Sequence, residues 1–194
     1  MYVVLEGVDC VGKSTQIKLL KDYFKDALFT FEPGNTELGK ELRKLLLNSD
    51  FDICKEAECL LFLADRAQHF NELISKNKDK LIISDRSLIS GMAYAKDFDK
   101  ELLFRLNSFA LSDFFPDKII FLKADENTLK ARLNSKNLDS IEKRGLEYFL
   151  QIQKKIEESI LFLKEKKQNI SYIILDAKDD KHIINKKIKD FIND

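Results

Sequence analysis

Cysteine is scarce in this 194-residue chain. The three present are odd in number and not at metal-ligand spacing, which excludes a disulfide framework and a zinc-type ligand set. Cys10, Cys54 and Cys59 read as free thiols of a reducing compartment, with Cys54 and Cys59 as small core fillers. An excess of one charge is also missing. Its 33 basic residues balance 33 acidic ones, so there is no basic surplus of the kind a nucleic-acid binder carries. No apolar stretch approaches a membrane span, and Met1 stands almost inside the first strand pattern, leaving no signal peptide. The expectation is a cytoplasmic protein with no membrane partner. Repeats, low-complexity tracts and linkers are absent, so residues 1–194 read as one domain. Arginine is scarce, six against 27 lysines, which limits the planar cations open to a phosphate site. His69 and His182 fall among polar neighbours on helical segments, lack metal-spaced partners, and read as surface or half-buried.

What is present is led by residues 7–15, Gly-Val-Asp-Cys-Val-Gly-Lys-Ser-Thr, directly after the short apolar run Tyr2 to Leu5. Strand, glycine-framed turn and helix in that order make the pattern Gly-x4-Gly-Lys-Ser/Thr a phosphate-binding loop. Backbone N–H groups from Gly7, Val8, Asp9, Cys10, Val11 and Gly12 through Thr15 would line the phosphate chain of ATP. Lys13 would reach its β- and γ-phosphates, and the Ser14 hydroxyl would ligate Mg²⁺. Strand-like and helix-like segments alternate beyond it. Ala27–Phe31, Leu81–Asp85, Lys118–Leu122 and Ile170–Leu175 complete five apolar strands. Between them lie helical patterns: one with Ile17, Leu20, Tyr23 and Phe24 on a single face, then Leu38–Leu47, Lys55–Ser75, Ser87–Ala95, Asp99–Leu111, Asn127–Asn134 and Ile141–Lys166. A last one buries Ile183, Ile184, Ile188, Phe191 and Ile192. The pattern predicts an α/β fold, a parallel sheet covered on both faces, with ligands gathered at the carboxyl ends of the strands. Gly7, the Glu32-Pro33-Gly34 turn and Asp85 sit at such ends.

The loop alone fits GTPases, motor ATPases and small-molecule kinases. A guanine-reading Asn-Lys-x-Asp is missing, since Asn77-Lys78-Asp79-Lys80 places its carboxylate one residue early, and a large ATPase needs more chain. Four further segments point to one kinase family. Glu6 through Gln16, Glu32-Pro33-Gly34-Asn35-Thr36 with Leu38-Gly39, Leu61 through His69, and Asp85-Arg86 through Ser90 to Ala93-Tyr94 stand in order along the first half. The chain resembles thymidylate kinase in these blocks, and in length and topology throughout. The resemblance implies a three-layer P-loop kinase fold, with a five-stranded parallel sheet flanked by helices, and transfer of a phosphoryl group from ATP to dTMP. It further implies Mg²⁺ held by Ser14 and Asp85, and a homodimer.

Phe62 and Arg66 are four residues apart on one helix and share a face, which suits stacking on a nucleobase and a hydrogen bond to its carbonyl, and by the resemblance that base is thymine. The alternative is a core Phe62 with Arg66 paired to a neighbouring carboxylate. By the resemblance, Arg86 grips the acceptor phosphate, with a salt bridge to Asp85 as the alternative. Ser90 joins the acceptor site. Tyr94 crowds out a 2′-hydroxyl, against the alternative of an ordinary buried tyrosine. Asp9 lies inside the loop, where a carboxylate close to phosphates is electrostatically unwelcome unless a cation intervenes, and by resemblance it contacts the acceptor sugar or the magnesium shell.

The chain departs from the family where a transition-state cation belongs. Cys10 occupies the loop position open to a catalytic arginine, and a lid near residues 131–144 carries Asp139-Ser140-Ile141-Glu142, with serine where arginine is usual. Arg132 and Arg144 lead as candidates, ahead of Lys136 and Lys143. Arg132 has stacking on adenine as its alternative. Other nucleoside or nucleoside monophosphate kinases, and a non-enzymatic nucleotide-binding switch, remain rival readings.

Overall fold

A computed structural model of the chain describes residues 1–133 and 145–194. Five all-parallel strands form its centre: β1 (Tyr2–Glu6), β2 (Leu28–Phe31), β3 (Ile82–Asp85), β4 (Lys118–Lys123) and β5 (Ser171–Asp176), in the order β2-β3-β1-β4-β5. Every residue of β1 is buried, and the apolar positions 119–122 of β4 are fully so. Central strands covered on both faces select such unbroken apolar runs. Helices α1 (Lys13–Tyr23), α2 (Glu37–Asn48), α3 (Lys55–His69), α4 (Leu88–Tyr94), α5 (Lys100–Leu111), α6 (Glu126–Leu133), α7 (Leu146–Lys166) and α8 (Lys181–Asn193) surround the sheet. The chain leaves β1 for the β2 edge and leaves β3 for β4 on the far side, so the carboxyl ends of β1 and β3 flank the crevice where such folds bind ligands. Register pairs Leu5 with Asp85 across that crevice.

Several expectations change at element level. Ile184, Ile188 and Ile192 recur every fourth residue and form the buried stripe of α8, which leaves Ile183, one step off it, 53% exposed. Tyr23 likewise turns out of the α1 stripe and lies beneath the Lys189 ammonium, 4.8 Å from the ring centroid. The 55–75 helix is not uniform: α3 ends at His69 and passes into a π-helical turn, Phe70–Ile74, closed by the Ser75 N–H on Phe70 O. The widened turn keeps both Phe70 and Ile74 in the core. Cys54 is exposed, just ahead of α3, because the loop before the helix runs on the surface. The lid positions Lys136, Asp139, Ser140, Ile141, Glu142, Lys143 and Arg144 lie outside the described residues.

Candidate active site

The loop between β1 and α1 takes its shape from backbone that only some residues tolerate. Gly7 has φ 149°, and a Cβ there would stand 2.7 Å from the Leu122 carbonyl oxygen; Gly12 enters α1 with φ 102°. No side chain caps the first turn of α1 and no acidic residue lies in it, so its N–H groups face the loop under a favourable dipole for an anion. The Lys13 ammonium is buried, donating to Gly7 O and Val8 O at 2.9 Å each. Burial and the nearby Arg86 cation hold it below the ordinary lysine range, against the pull of Asp9, Asp85 and Glu6. The Ser14 side chain is exposed at the start of the same helix.

Asp85 and Arg86 end β3 beside this loop. Arg86 adopts a left-handed backbone, φ 73°, and its Nη1 donates to Gly7 O and to Ser90 Oγ, both at 3.1 Å. Nη2 donates to Asp9 Oδ1 at 2.6 Å. The cations that make Asp9 tolerable in a phosphate loop are therefore Arg86 and, at 3.8 Å, Lys13. Arg86 pairs with Asp9 rather than with its neighbour Asp85, whose Oδ1 is buried without a hydrogen-bond partner. An orphaned carboxylate oxygen and an exposed serine hydroxyl are the hard oxygen donors that magnesium takes alongside phosphate and water. Among the described residues no cluster of three or more acidic, His or Cys side chains offers a self-sufficient metal site.

A cleft opens next to Arg86, lined by Asp9, Glu32, Pro33, Arg43, Phe62, Arg66, Ser90, Gly91 and Tyr94. An adjoining cavity shares Phe62, Arg66, Gly91 and Tyr94 and reaches Asn107. Phe62 is half-buried and borders both spaces, so it is not a sealed core residue. Arg66 does pair with a carboxylate, Glu32, and still borders the cleft. Tyr94 places its ring 5.5 Å from the Arg86 guanidinium. Its hydroxyl is buried without a partner, and burial raises its pKa. Ser90 lines the cleft, but its hydroxyl donates to Glu6 Oε2 and accepts from Arg86, which makes it a support for that arginine.

The thymidylate kinase family profile matches residues 5–188. The chain belongs to the thymidylate kinase family. A thymidylate kinase of Campylobacter jejuni subsp. doylei is 65% identical over 192 residues, spanning 99% of this chain and 100% of that protein. One from Helicobacter hepaticus is 47% identical over 197 residues, spanning 100% and 98%. A crystal structure of thymidylate kinase from Ehrlichia chaffeensis shares the fold with a TM-score of 0.76 at 22% identity, over 99% of this chain and 98% of that one.

Of the residues that the sequence offers for the site, the structure gathers Asp9, Lys13, Arg86, Ser90 and Tyr94 tightly, with Phe62 and Arg66 across the cleft. Arg132, at the end of α6, bridges the loop to the far edge of the sheet: Nη1 donates to Cys10 O at 3.0 Å and Nη2 to Ala177 O at 2.8 Å. Arg144 lies outside the described residues. His69 corrects the expectation of a surface or half-buried histidine. It is fully buried between Thr30 and Glu32, since the strand end of β2 supplies two polar partners that its own helix lacks. Two carboxylates also escaped the sequence reading as site residues. Glu6 closes an otherwise apolar strand and takes the hydroxyls of Ser87 and Ser90. Its position directly before Gly7 was the available signal. Glu32 belongs to a quoted motif but had no task until Arg66 and His69 were seen on it.

Proposed function

We propose that this chain transfers the γ-phosphoryl group of ATP to dTMP, giving dTDP and ADP, with Mg²⁺, in supply of dTTP. An ionised oxygen of the acceptor phosphate bonds to the γ-phosphorus as the bond to the β–γ bridging oxygen breaks, and ADP carries that oxygen away. A phosphomonoester is largely dianionic near neutral pH, so the acceptor needs no general base. Catalysis then rests on alignment and neutralised charge. Lys13 and the α1 N-terminus hold the donor phosphates, and Arg86 exchanges Asp9 for the acceptor phosphate. Phe62 stacks on the base, Arg66 donates to its carbonyl, and Tyr94 closes on the deoxyribose. Ser14 and Asp85 would hold the magnesium, which when bound would supply positive charge against the phosphoryl group. Arg132 and Arg144 are the arginines available for the remaining transition-state charge.

The observation that carries this reading is the direct hydrogen bonding of Arg86 to both Gly7 O and Asp9. It supports reading the phosphate loop and the neighbouring cleft as the donor and acceptor halves of one site. We assign 1–194 to one catalytic domain with a lid at about 131–144, acting in the cytoplasm. Among the described residues no helix is long and apolar enough to cross a membrane. A homodimer is supported by family membership and by exposed apolar side chains on two neighbouring helices: Phe109 (86% exposed) and Leu102 on α5, Leu60 on α3. The test is an acceptor panel of dTMP, dUMP, CMP, AMP and thymidine with ATP and magnesium, following ADP release. Preference for dTMP is expected; turnover confined to another acceptor, or none with any, overturns the proposal.

A further inference from the structure

Behind the acceptor cleft runs a buried hydrogen-bonded chain in which only Arg66 has yet been given a task. Arg66 carries five N–H groups. Nε donates to Glu32 Oε2 at 2.9 Å, and Nη2 lies 2.7 Å from the same oxygen while donating to Ser87 O at 3.0 Å. Nη1 donates to Asn107 Oδ1 at 2.8 Å, which leaves one Nη1 hydrogen without a partner among the described residues. Three elements therefore grip the guanidinium: the end of β2, the start of α4 and the buried face of α5.

The far oxygen of Glu32 is committed elsewhere. Oε1 accepts from His69 Nδ1 at 2.9 Å. With the proton on Nδ1, Nε2 is an acceptor, and the Thr30 hydroxyl supplies its hydrogen. Asn35 Nδ2 donates in turn to Thr30 Oγ1 at 2.6 Å. Donors and acceptors thus alternate in one consistent direction from Asn35 through Thr30 and His69 to Glu32. None of Thr30, Glu32, Arg66, His69 or Asn107 is more than 6% exposed. Burial opposes ionisation of Glu32, but the Arg66 guanidinium and His69 outweigh it and hold the carboxyl below its ordinary range. A flexible arginine is ordered here before any ligand meets it, which cuts the cost of ordering on binding. Gly91 completes the fit, since a Cβ there would lie 2.7 Å from Nη1.

We infer that Glu32, seated by His69, is a positioning residue that fixes the Arg66 plane so that its one remaining N–H meets a carbonyl of the acceptor base. The inference rests on Arg66 meeting that base, as proposed above. A guanidinium held in place can only donate, so it favours a carbonyl and leaves an amino group facing another donor.

The experiment compares KM for dTMP and for ATP in His69→Leu, His69→Asn, Arg66→Ala and the His69→Leu/Arg66→Ala double variant. His69→Leu is expected to raise the dTMP KM about tenfold with the ATP KM unmoved. His69→Asn offers an amide N–H near the Nδ1 position and should recover most of the loss. In the Arg66→Ala background, His69→Leu should add nothing further. An unchanged dTMP KM in His69→Leu, an equal rise in both constants, or an undiminished effect in the Arg66→Ala background overturns the positioning role. An Arg66→Ala enzyme with normal dTMP KM overturns instead the base contact on which it rests. Should His69→Leu not fold, Glu32→Gln is measured in its place, because its amide turns an N–H toward either Arg66 or His69.

Discussion

Glu6 holds a charge that its burial disfavours. Fully buried at the end of β1, with Ser87 and Ser90 on its oxygens, it has its carboxyl pushed up to about 7 from an ordinary 4.5, burial being the main cause. The folded protein therefore keeps a proton that the unfolded chain releases across that window. Its contribution to stability falls as pH rises from about 4.5 to 7, by about 1.4 kcal/mol per unit. Glu6→Gln cannot titrate, so the difference between wild-type and variant unfolding free energies should slope with pH in this range. Parallel stability curves would refute the burial argument. Lys13 is the second residue where one side chain carries a large effect. Lys13→Ala removes the cation from the donor phosphates and the tie between Gly7 O and Val8 O. Turnover should fall at least about a thousandfold, with circular dichroism unchanged; a tenfold loss or less would reassign the donor cation.

At the scale of elements, α4 is the piece whose position matters most. Its first residues carry Ser87 O to Arg66 and Ser90 Oγ to Arg86, and Gly91 lets the helix lie against the Arg66 guanidinium. Gly91→Ala puts a methyl carbon 2.7 Å from Nη1, and Arg66 is already held by Glu32 and Asn107. The dTMP KM should rise about tenfold or more while the ATP KM holds, measured by initial rates; unchanged dTMP kinetics would mean that the arginine yields freely. The same neighbourhood marks where sequence reading stopped. The phosphate loop was legible because its glycines, lysine and serine act within nine residues of chain, and the five strands because each is an apolar run of its own. His69 was not, since the Thr30 and Glu32 that bury it belong to β2 and to the residue just after it, 39 and 37 positions away. Asn107 gave only a faint sign, an amide on an α5 stripe with Leu103, Ala110 and Leu111. Ile183 and Tyr23 failed for a simpler reason. Apolar residues one step off a helical stripe look identical in sequence to those on it.

For the molecule as a whole, the surface is as informative as the core. Phe109 is 86% exposed on α5, with Leu102 on the same helix and Leu60 on α3, which packs beside it. A second copy is the partner proposed for that face. Phe109→Asp would place a charge among these apolar side chains and should shift the sedimentation coefficient from dimer to monomer at micromolar concentration. A wild-type monomer, or a variant that remains dimeric, would remove this face from the assembly. Positive charge shows a matching economy: Arg43, Arg66, Arg86 and Arg132, four of the six arginines, converge on the site, while lysines supply most of the rest.

The left-handed backbone at Arg86, φ 73°, has an evolutionary reading. An L side chain there costs about 1 kcal/mol that glycine avoids. A library randomised at position 86 and sorted for thermal tolerance alone would drift toward glycine or asparagine. The same library sorted for growth that depends on the enzyme's own turnover would return to arginine. Divergence between those two winners would mark a position kept for ligand rather than for folding.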